Sequence, residues 1–153
     1  MASVFYLDQW SKHLIQLKFY WGESLPIWRD FFAITYVRNA GAAFGFLNQA
    51  PSRIRDPFFL VVSVTALLIL SGLVWRQNRG PQLRLAALSL VFGGALGNLW
   101  DRLHLGYVVD FLDFHWKNVY HWPAFNVADS SIVVGISLIV CLTIFETPVK
   151  QEG

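Results

Sequence analysis

Three long stretches of the chain are apolar and carry no charged side chain. The first, Pro57 to Trp75, contains 19 residues, which as a helix would be about 28 Å long. Leu85 to Trp100 and Ser130 to Phe145 contain 16 residues each and would be about 24 Å long as helices. The hydrocarbon core of a bilayer is about 30 Å thick. We therefore predict three membrane-spanning helices, the shorter two of which draw their polar flanks to the membrane edge.

The composition also favours a membrane setting. Hydrophobic residues make up 55% of the 153 residues and charged residues 14%, whereas an average soluble domain has about 25% charged residues. The 7 Trp and 13 Phe residues suit the membrane interface, where aromatic rings concentrate. The formal net charge of +2 gives no reason to expect a nucleic-acid partner. The single cysteine, Cys141, lies in an apolar run, so no disulfide framework is available.

The order of the helices predicts which polar residues share a side of the membrane. If the three helices alternate in direction, the second ends and the third begins on the same side, together with the connection 101–124. Asp101, Asp110 and Asp129 then lie on that side. The loop 76–84 on the opposite side contains three arginines, which is typical of a cytoplasmic loop. We expect the acidic residues at the extracytoplasmic face.

The remaining segments predict smaller elements. Phe31 to Val37 and Tyr107 to Phe114 are rich in β-branched and aromatic residues, which favours strands. Val4 to Trp21 is apolar but interrupted by charges. It is either an interfacial amphipathic helix or the last turns of a membrane helix, and we favour the second. Because no internal repeat or low-complexity tract interrupts the chain, residues 1–153 are interpreted as one domain.

Asp110 and Asp129 are the candidate reactive groups. Carboxylates beside membrane segments are costly, so they are retained mainly for function, and two of them suggest paired-carboxylate chemistry. The structural alternatives are a helix N-terminal acid stabilised by the helix dipole for Asp129 and a solvated edge-strand acid for Asp110. Strand alternation places Asp113 on the opposite face from Asp110, so only one of these two is expected to face a site.

Five short motifs then point to a known family. They are Asp8-Gln9, Thr35 to Gly45, Gly97 to Arg102, Val108 to Phe111 and Phe125 to Asp129. From about Leu7 to Phe145 the chain resembles the signal peptidase II (lipoprotein signal peptidase) family, in which these motifs occur in the same order.

The resemblance implies a four-helix transmembrane bundle with a small extracytoplasmic β-structure, in the bacterial inner membrane. The membrane helices are then expected at about 4–21, 57–75, 85–102 and 126–145. Only seven residues precede Asp8, whereas the family pattern places most of its first helix before that residue. We therefore expect the first helix to be truncated.

The same resemblance implies an activity and a set of site residues. Members of the family are aspartic endopeptidases that remove the signal peptide from diacylglyceryl-modified prolipoproteins, cutting just before the lipidated cysteine. Asp110 and Asp129 match the catalytic pair. The residues implied to position the substrate or the pair are Asn39, Asn98, Arg102 and Asn126, and those with a structural role near the site are Asp8, Gly41 and Asp101. We expect a monomer that requires no cofactor, with the prolipoprotein and membrane lipid as its partners.

Two other classes of protein could use some of the same residues. A zinc peptidase would use His104, His115 and His121, but the sequence has no His-x-x-x-His pair, so we expect no catalytic metal. A small transporter or channel would use Asp110 and Asp129 as a proton relay. It would need polar residues deep in the helices, and only scattered serines and threonines occur there.

Overall fold

The computed structural model describes residues 1–41, 50–77, 81–117 and 119–145. Within them, four helices form a bundle and four strands form an antiparallel sheet in the order β1-β2-β3-β4. The elements in chain order are α1 (Ala2–Lys18), β1 (Ser24–Trp28), β2 (Phe32–Asn39), α2 (Ser52–Gln77), α3 (Gln82–Leu105), β3 (Val108–Trp116), β4 (Tyr120–His121) and α4 (Val127–Phe145). Part of the second motif, at 42–45, and Arg79 of the arginine-rich loop lie outside the described residues.

Among the described helices, α2, α3 and α4 are long and apolar enough to cross a membrane. Their surfaces carry many exposed large apolar side chains, such as Leu68 and Ile69 on α2 and Val133 on α4, which suits contact with lipid. α2 and α3 extend beyond the predicted ranges at both ends, because their backbone hydrogen bonds continue into the polar flanks. α4 begins one residue later than predicted, since Asn126 caps it.

α1 is the fourth helix of the bundle and differs in character from the others. It packs on α3 and α4, and two of its three buried residues, Asp8 and Lys12, are charged. A Cβ atom added at Gly97 of α3 would collide with the Asp8 carboxylate, so glycine permits this close approach. The helix ends at Lys18, short of the predicted Trp21, because Phe19 adopts an extended conformation.

Helices α3 and α4 also approach each other closely. A Cβ atom added at Gly94 would overlap the carbonyl oxygen of Ala128 in the first turn of α4. Small residues let helix backbones pack at short range in membranes. This contact fixes the position of the α4 N-terminus against α3.

The sheet lies at the end of the bundle where α3 ends and α4 begins. The predicted strands run longer than expected, to Asn39 in β2 and Trp116 in β3, while β1 and β4 had no predicted counterpart. In the β2–β3 ladder, Val37 pairs with Asp110 and Asn39 with Val108. The buried cluster of Ile15, Tyr36, Val109 and Phe111 holds the sheet against α1.

Candidate active site

Asp110 and Asp129 meet at one cavity although 18 residues separate them in the chain. Asp110 lies in β3 and is 2% exposed, whereas Asp129 lies in the first turn of α4. The cavity has a volume of about 720 Å³. Of the predicted positioning residues, Asn39, Asn98 and Arg102 line this cavity too, and Asn126 lies buried behind it.

Two asparagine side chains hold the Asp110 carboxyl group. Nδ2 of Asn39 donates to Oδ2 of Asp110 at 2.9 Å, and Nδ2 of Asn126 donates to Oδ1 at 2.7 Å. Asn39 is itself oriented by Gly41, whose backbone N–H donates to Oδ1 of Asn39 at 3.0 Å. The carboxyl group therefore has a fixed orientation toward the cavity.

The surroundings of Asp110 favour its protonated form. Burial raises the pKa of Asp110 most strongly, the Asp129 charge raises it further, and the hydrogen bonds from Asn39 and Asn126 partly oppose this; the resulting pKa is about 7. An ordinary aspartate is almost fully ionised at that pH. Asp110 can therefore hold a proton at neutral pH and donate it to a bound molecule.

Asp129 takes part in the N-terminal cap of α4. Its backbone N–H donates to Oδ1 of Asn126 at 2.9 Å, and the backbone N–H of Asn126 donates back to Oδ2 of Asp129 at 3.2 Å. This reciprocal pair is a capping box. Because the helix begins at Val127, Asn126 reaches both aspartates from the cap position.

Asn98 of α3 connects Asp129 to a buried lysine. Nδ2 of Asn98 donates to Oδ1 of Asp129 at 2.7 Å. Oδ1 of Asn98 accepts from Nζ of Lys12 at 3.0 Å and from Nδ2 of Asn126 at 3.2 Å. Both oxygens of Asp129 thus have donors, which stabilises a carboxylate anion at the positive end of a helix.

Asp8 and Asp101 form a buried charge network around Lys12. Nζ of Lys12 is 2.8 Å from Oδ2 of Asp8 and 2.9 Å from Oδ2 of Asp101. Asp8 also accepts the backbone N–H of Ala128 at 2.9 Å, and Asp101 accepts that of Val109 at 3.1 Å. The two carboxylates therefore attach α1 and α3 to the elements that carry Asp129 and Asp110.

Arg102 supplies positive charge beside the pair. Its Nη1 donates to the backbone oxygen of Asn98 at 3.3 Å, and its guanidinium group lies 5.6 Å from the ring centre of Phe59 on α2. Since Arg102 lines the cavity, it can contact a polar group of a bound substrate.

Neither Lys12 nor Gln9 was predicted from the sequence to have a role at the site. Lys12 is 2% exposed and was interpreted only as a charge that interrupts an apolar segment. Nε2 of Gln9 donates to Oδ2 of Asp8 at 3.1 Å and to Oδ1 of Asp101 at 2.9 Å. The spacing of four residues between Asp8 and Lys12 is typical of a helical ion pair. The sequence therefore contained a signal for the contact between these two residues.

The histidines take no part in this cavity. Among the described residues that line it, none is a histidine. His104 stacks on Trp100 with ring centres 3.9 Å apart, whereas Asp113 contacts His121. Asp113 thus lies apart from Asp110, as strand alternation predicts, and the three histidines of the zinc alternative are not gathered at the two aspartates.

The rest of the cavity wall is apolar and lies between membrane helices. α2 and α4 both pack on α3, and the cavity lies between them, lined by apolar residues that include Val62, Ile132 and Val133. A second part of the wall is the segment 122–125, between β4 and α4. A substrate can therefore meet both an apolar surface and the two carboxyl groups.

Two carboxyl groups at one cavity, of which Asp110 can hold a proton at neutral pH, can activate a water molecule and protonate a peptide bond. Together with the spanning helices, they define the class of the protein as a membrane aspartic peptidase.

Comparisons with known proteins give the particular family. The family described as Signal peptidase (SPase) II matches residues 1–145, and the chain belongs to this family. It is 52% identical over 134 residues to the lipoprotein signal peptidase of Geobacter sulfurreducens, and the matched region covers 87% of this chain and 81% of that relative. It is 49% identical to the lipoprotein signal peptidase of Shewanella loihica, with 100% of this chain and 88% of the relative covered.

Solved structures agree with the fold. Two structures of bacterial membrane enzymes obtained by the in meso method superpose with TM-scores of 0.81 and 0.78, both at 34% sequence identity. The first covers 99% of this chain and 89% of the solved chain, and the second covers 95% and 90%. The predicted membrane-helical fold with a small sheet is confirmed.

Proposed function

We propose that Asp110 and Asp129 form the catalytic pair with which this peptidase removes the signal peptide from diacylglyceryl-modified prolipoproteins, cutting just before the lipidated cysteine at the extracytoplasmic face of the bacterial inner membrane. The family membership and the lipoprotein signal peptidase relatives support the reaction. The observation that carries the residue assignment is the shared cavity of two carboxyl groups held by Asn39, Asn98 and Asn126.

The proton positions suggest how the reaction proceeds. Asp129, as the carboxylate, takes a proton from a water molecule while the water oxygen bonds to the scissile carbonyl carbon. Asp110 gives its proton to the carbonyl oxygen, which produces a tetrahedral diol. The carbon–nitrogen bond then breaks as the proton on Asp129 moves to the cysteine nitrogen, and a diol hydroxyl returns its proton to Asp110. The products are a free carboxyl group and the new amino terminus, with both aspartates restored.

The apolar walls of the cavity support the proposal that the substrate is held in the membrane. Val62 of α2 and Val133 of α4 are 48% and 63% exposed and line the cavity. Acyl chains of a diacylglyceryl group would pack on such side chains, while the peptide near the cysteine reaches the polar end at Asp110. Arg102 would then contact a carbonyl group of the substrate.

The experiment is to replace each aspartate by asparagine. In Asp110→Asn and Asp129→Asn, cleavage of a diacylglyceryl-modified prolipoprotein should fall to the background rate, since neither amide can exchange the required protons. Asp30→Asn is the matched control, because Asp30 is exposed in a turn with a φ of 65° that asparagine tolerates. All three proteins should remain folded. Substantial cleavage by a folded Asp129→Asn protein would overturn the assignment.

The transporter alternative is not favoured by the family membership. A metal-dependent reaction would show itself in the same assay as a loss of wild-type cleavage after treatment with a chelator.

A further inference from the structure

A second group of reactive side chains lies on the β3–β4 ribbon. Asp113 and His115 are two residues apart in β3, so they project from the same face. His121 is the direct partner of His115 in the antiparallel register of β3 and β4. Cross-strand partners have neighbouring side chains, and the three residues therefore form one cluster, which we call the ribbon cluster.

The spacing of its donor atoms approaches that of a metal site. Nδ1 of His121 lies 3.1 and 3.2 Å from the two oxygens of Asp113, and Nδ1 of His115 lies 3.6 Å from Oδ2 of Asp113. Tetrahedral zinc, with bonds of about 2.0 to 2.2 Å, holds its donor atoms about 3.3 Å apart. The separations that involve Asp113 are already close to this value. One donor atom from each of the three residues lies within 4.8 Å of the others. A rotation of the exposed His121 ring would therefore bring the three donor atoms to the separations of a zinc site.

His115 provides an independent reason to expect a ligand. It is 7% exposed, yet its Nδ1 makes no hydrogen bond to any described residue. A buried polar atom without a hydrogen bond is costly and is uncommon in native proteins. This nitrogen lies beside the Asp113 carboxyl group, so an ion bound there would satisfy it.

Ion pairs with Asp113 do not satisfy all three side chains, because Nδ1 of His115, at 3.6 Å from Oδ2 of Asp113, is within ion-pair distance but too far for a hydrogen bond. The contact between Asp113 and His121 satisfies those two residues, but it leaves the buried nitrogen of His115 without a hydrogen bond among the described residues. A cation bound by one carboxylate and two imidazoles would give every member a partner. Imidazole nitrogen favours zinc, copper and nickel, whereas calcium and magnesium prefer oxygen donors alone.

We propose that Asp113, His115 and His121 form a binding site for a divalent transition-metal ion of the zinc class on the β3–β4 ribbon. It is separate from the catalytic pair, because His115 follows Asp110 by five residues along β3, a distance of about 17 Å. The three side chains would supply three ligands and water the fourth.

The site would tie β4 to β3 next to the active-site cavity. Within the described residues β4 consists of Tyr120 and His121 alone, too short to be a stable strand by itself. The segment 122–125 follows it directly and forms one wall of the cavity. A bound ion would therefore stabilise this wall, and the stabilisation would grow with the concentration of free metal.

The proposal is tested with full-length protein that carries no histidine tag, purified in detergent and freed of metal by chelator and dialysis. Zinc binding is measured by calorimetry, and Co²⁺ is used as a spectroscopic probe. We expect one ion per chain, visible Co²⁺ absorption of a nitrogen- and oxygen-ligated site, and a zinc-dependent rise in melting temperature.

His121→Gln is the decisive variant, because His121 is 49% exposed in its side chain and its replacement should not disturb folding. It should weaken zinc binding by at least about tenfold, since even loss of an outer-shell partner costs 10- to 100-fold in affinity. His104→Gln is the matched control and should bind zinc as the wild type does. Equal zinc affinity in the wild type and both variants would overturn the proposal. So would the absence of binding at about 0.1 mM zinc, a concentration well above the dissociation constants of structural zinc sites.

Discussion

The buried ammonium group of Lys12 fixes the orientation of the Asn98 side chain. Nζ of Lys12 lies 3.0 Å from the amide oxygen of Asn98, and an ammonium group can only donate. The amide nitrogen must then face the other way, where it lies 2.7 Å from Oδ1 of Asp129. Helix α1 thereby determines a hydrogen bond to a carboxyl group on α4, through a residue of α3.

Replacement of the lysine tests this arrangement. Lys12→Met keeps the length of the side chain but leaves the buried Asp8 and Asp101 without their cation, which should lower the free energy of unfolding by about 3 to 5 kcal/mol. The Asn98 amide also loses its constraint, so the rate of cleavage should fall at least about tenfold. A tenfold fall corresponds to an increase of about 1.4 kcal/mol in the activation free energy. Lys18→Met, an exposed change in the same helix, is the control for denaturant unfolding and for cleavage of the lipidated precursor. Equal behaviour of the two variants would contradict the positioning role.

The pH dependence of cleavage should follow the proton on Asp110. Because burial and Asp129 raise the pKa of Asp110 to about 7, the rate at low substrate concentration should decline as the pH rises through that value and the donor is lost. The measurement is the pH profile of kcat/KM for a lipidated precursor. A rate that stays level up to pH 9 would show that Asp110 is not the proton donor.

The same pKa makes a separate prediction for stability. The folded protein keeps a proton on Asp110 that the unfolded chain loses near pH 3.8. Between about pH 4 and pH 7 the folded state thus binds more protons, and this contribution to stability is lost as the pH rises. Melting temperatures measured from pH 5 to pH 8 should fall less steeply for Asp110→Asn than for the wild type. Parallel slopes would contradict the raised pKa.

Glycine at position 97 should be required for the contact between α1 and α3. In Gly97→Ala the added methyl group would collide with the carboxylate of Asp8, which should destabilise the protein by about 1 to 3 kcal/mol and weaken the Lys12 network. The matched control is Gly72→Ala in α2, where a Cβ atom would meet nothing within 4 Å; alanine favours a helix there by up to about 1 kcal/mol. Thermal unfolding in the same detergent measures both, and a stable Gly97→Ala protein would contradict the predicted collision.

Lipid modification of the substrate should be required because the cavity lies between membrane helices. A precursor without the diacylglyceryl group should remain uncut under conditions where the modified precursor is processed. Val62→Asn, on the cavity wall, should raise the KM for the modified precursor, whereas Leu68→Asn, an exposed residue of α2 outside the cavity lining, should leave it near the wild-type value. Efficient cleavage of the unmodified precursor would exclude this mode of recognition.

The proposed membrane orientation can be tested with single cysteines after Cys141→Ser removes the natural one. Gln77→Cys, at the end of α2, should react only with reagents that enter the cytoplasm, and Val119→Cys, beside β4, should react from outside. Val119 is 86% exposed, so its modification should not be hindered by burial. The reverse pattern would place the sheet and both aspartates at the cytoplasmic face.

The sequence by itself determined the membrane helices and the order of the motifs. In lipid, an apolar run can satisfy its backbone polar groups within its own segment only as a helix, and runs of 16 to 19 uncharged residues are long for membrane strands, so the three spanning helices followed from length and composition. The strands that contain Tyr36 and Asp110 were also predictable, because β-branched and aromatic residues dominate them. The candidate residues themselves came from the motifs and their resemblance to a family.

Tertiary structure alone decided which polar atoms meet. Lys12 appeared in the sequence as a charge that breaks an apolar pattern, and its burial against Asp8, Asp101 and Asn98 depends on helices far apart in the chain. The ribbon cluster likewise depends on the register of a two-residue strand. Hydrogen bonds and ion pairs require atoms within about 3 Å, whereas a sequence pattern fixes only the face of an element on which a residue lies. The positions of the faces relative to one another are set by packing, here by the glycines of α3 that admit α1 and α4.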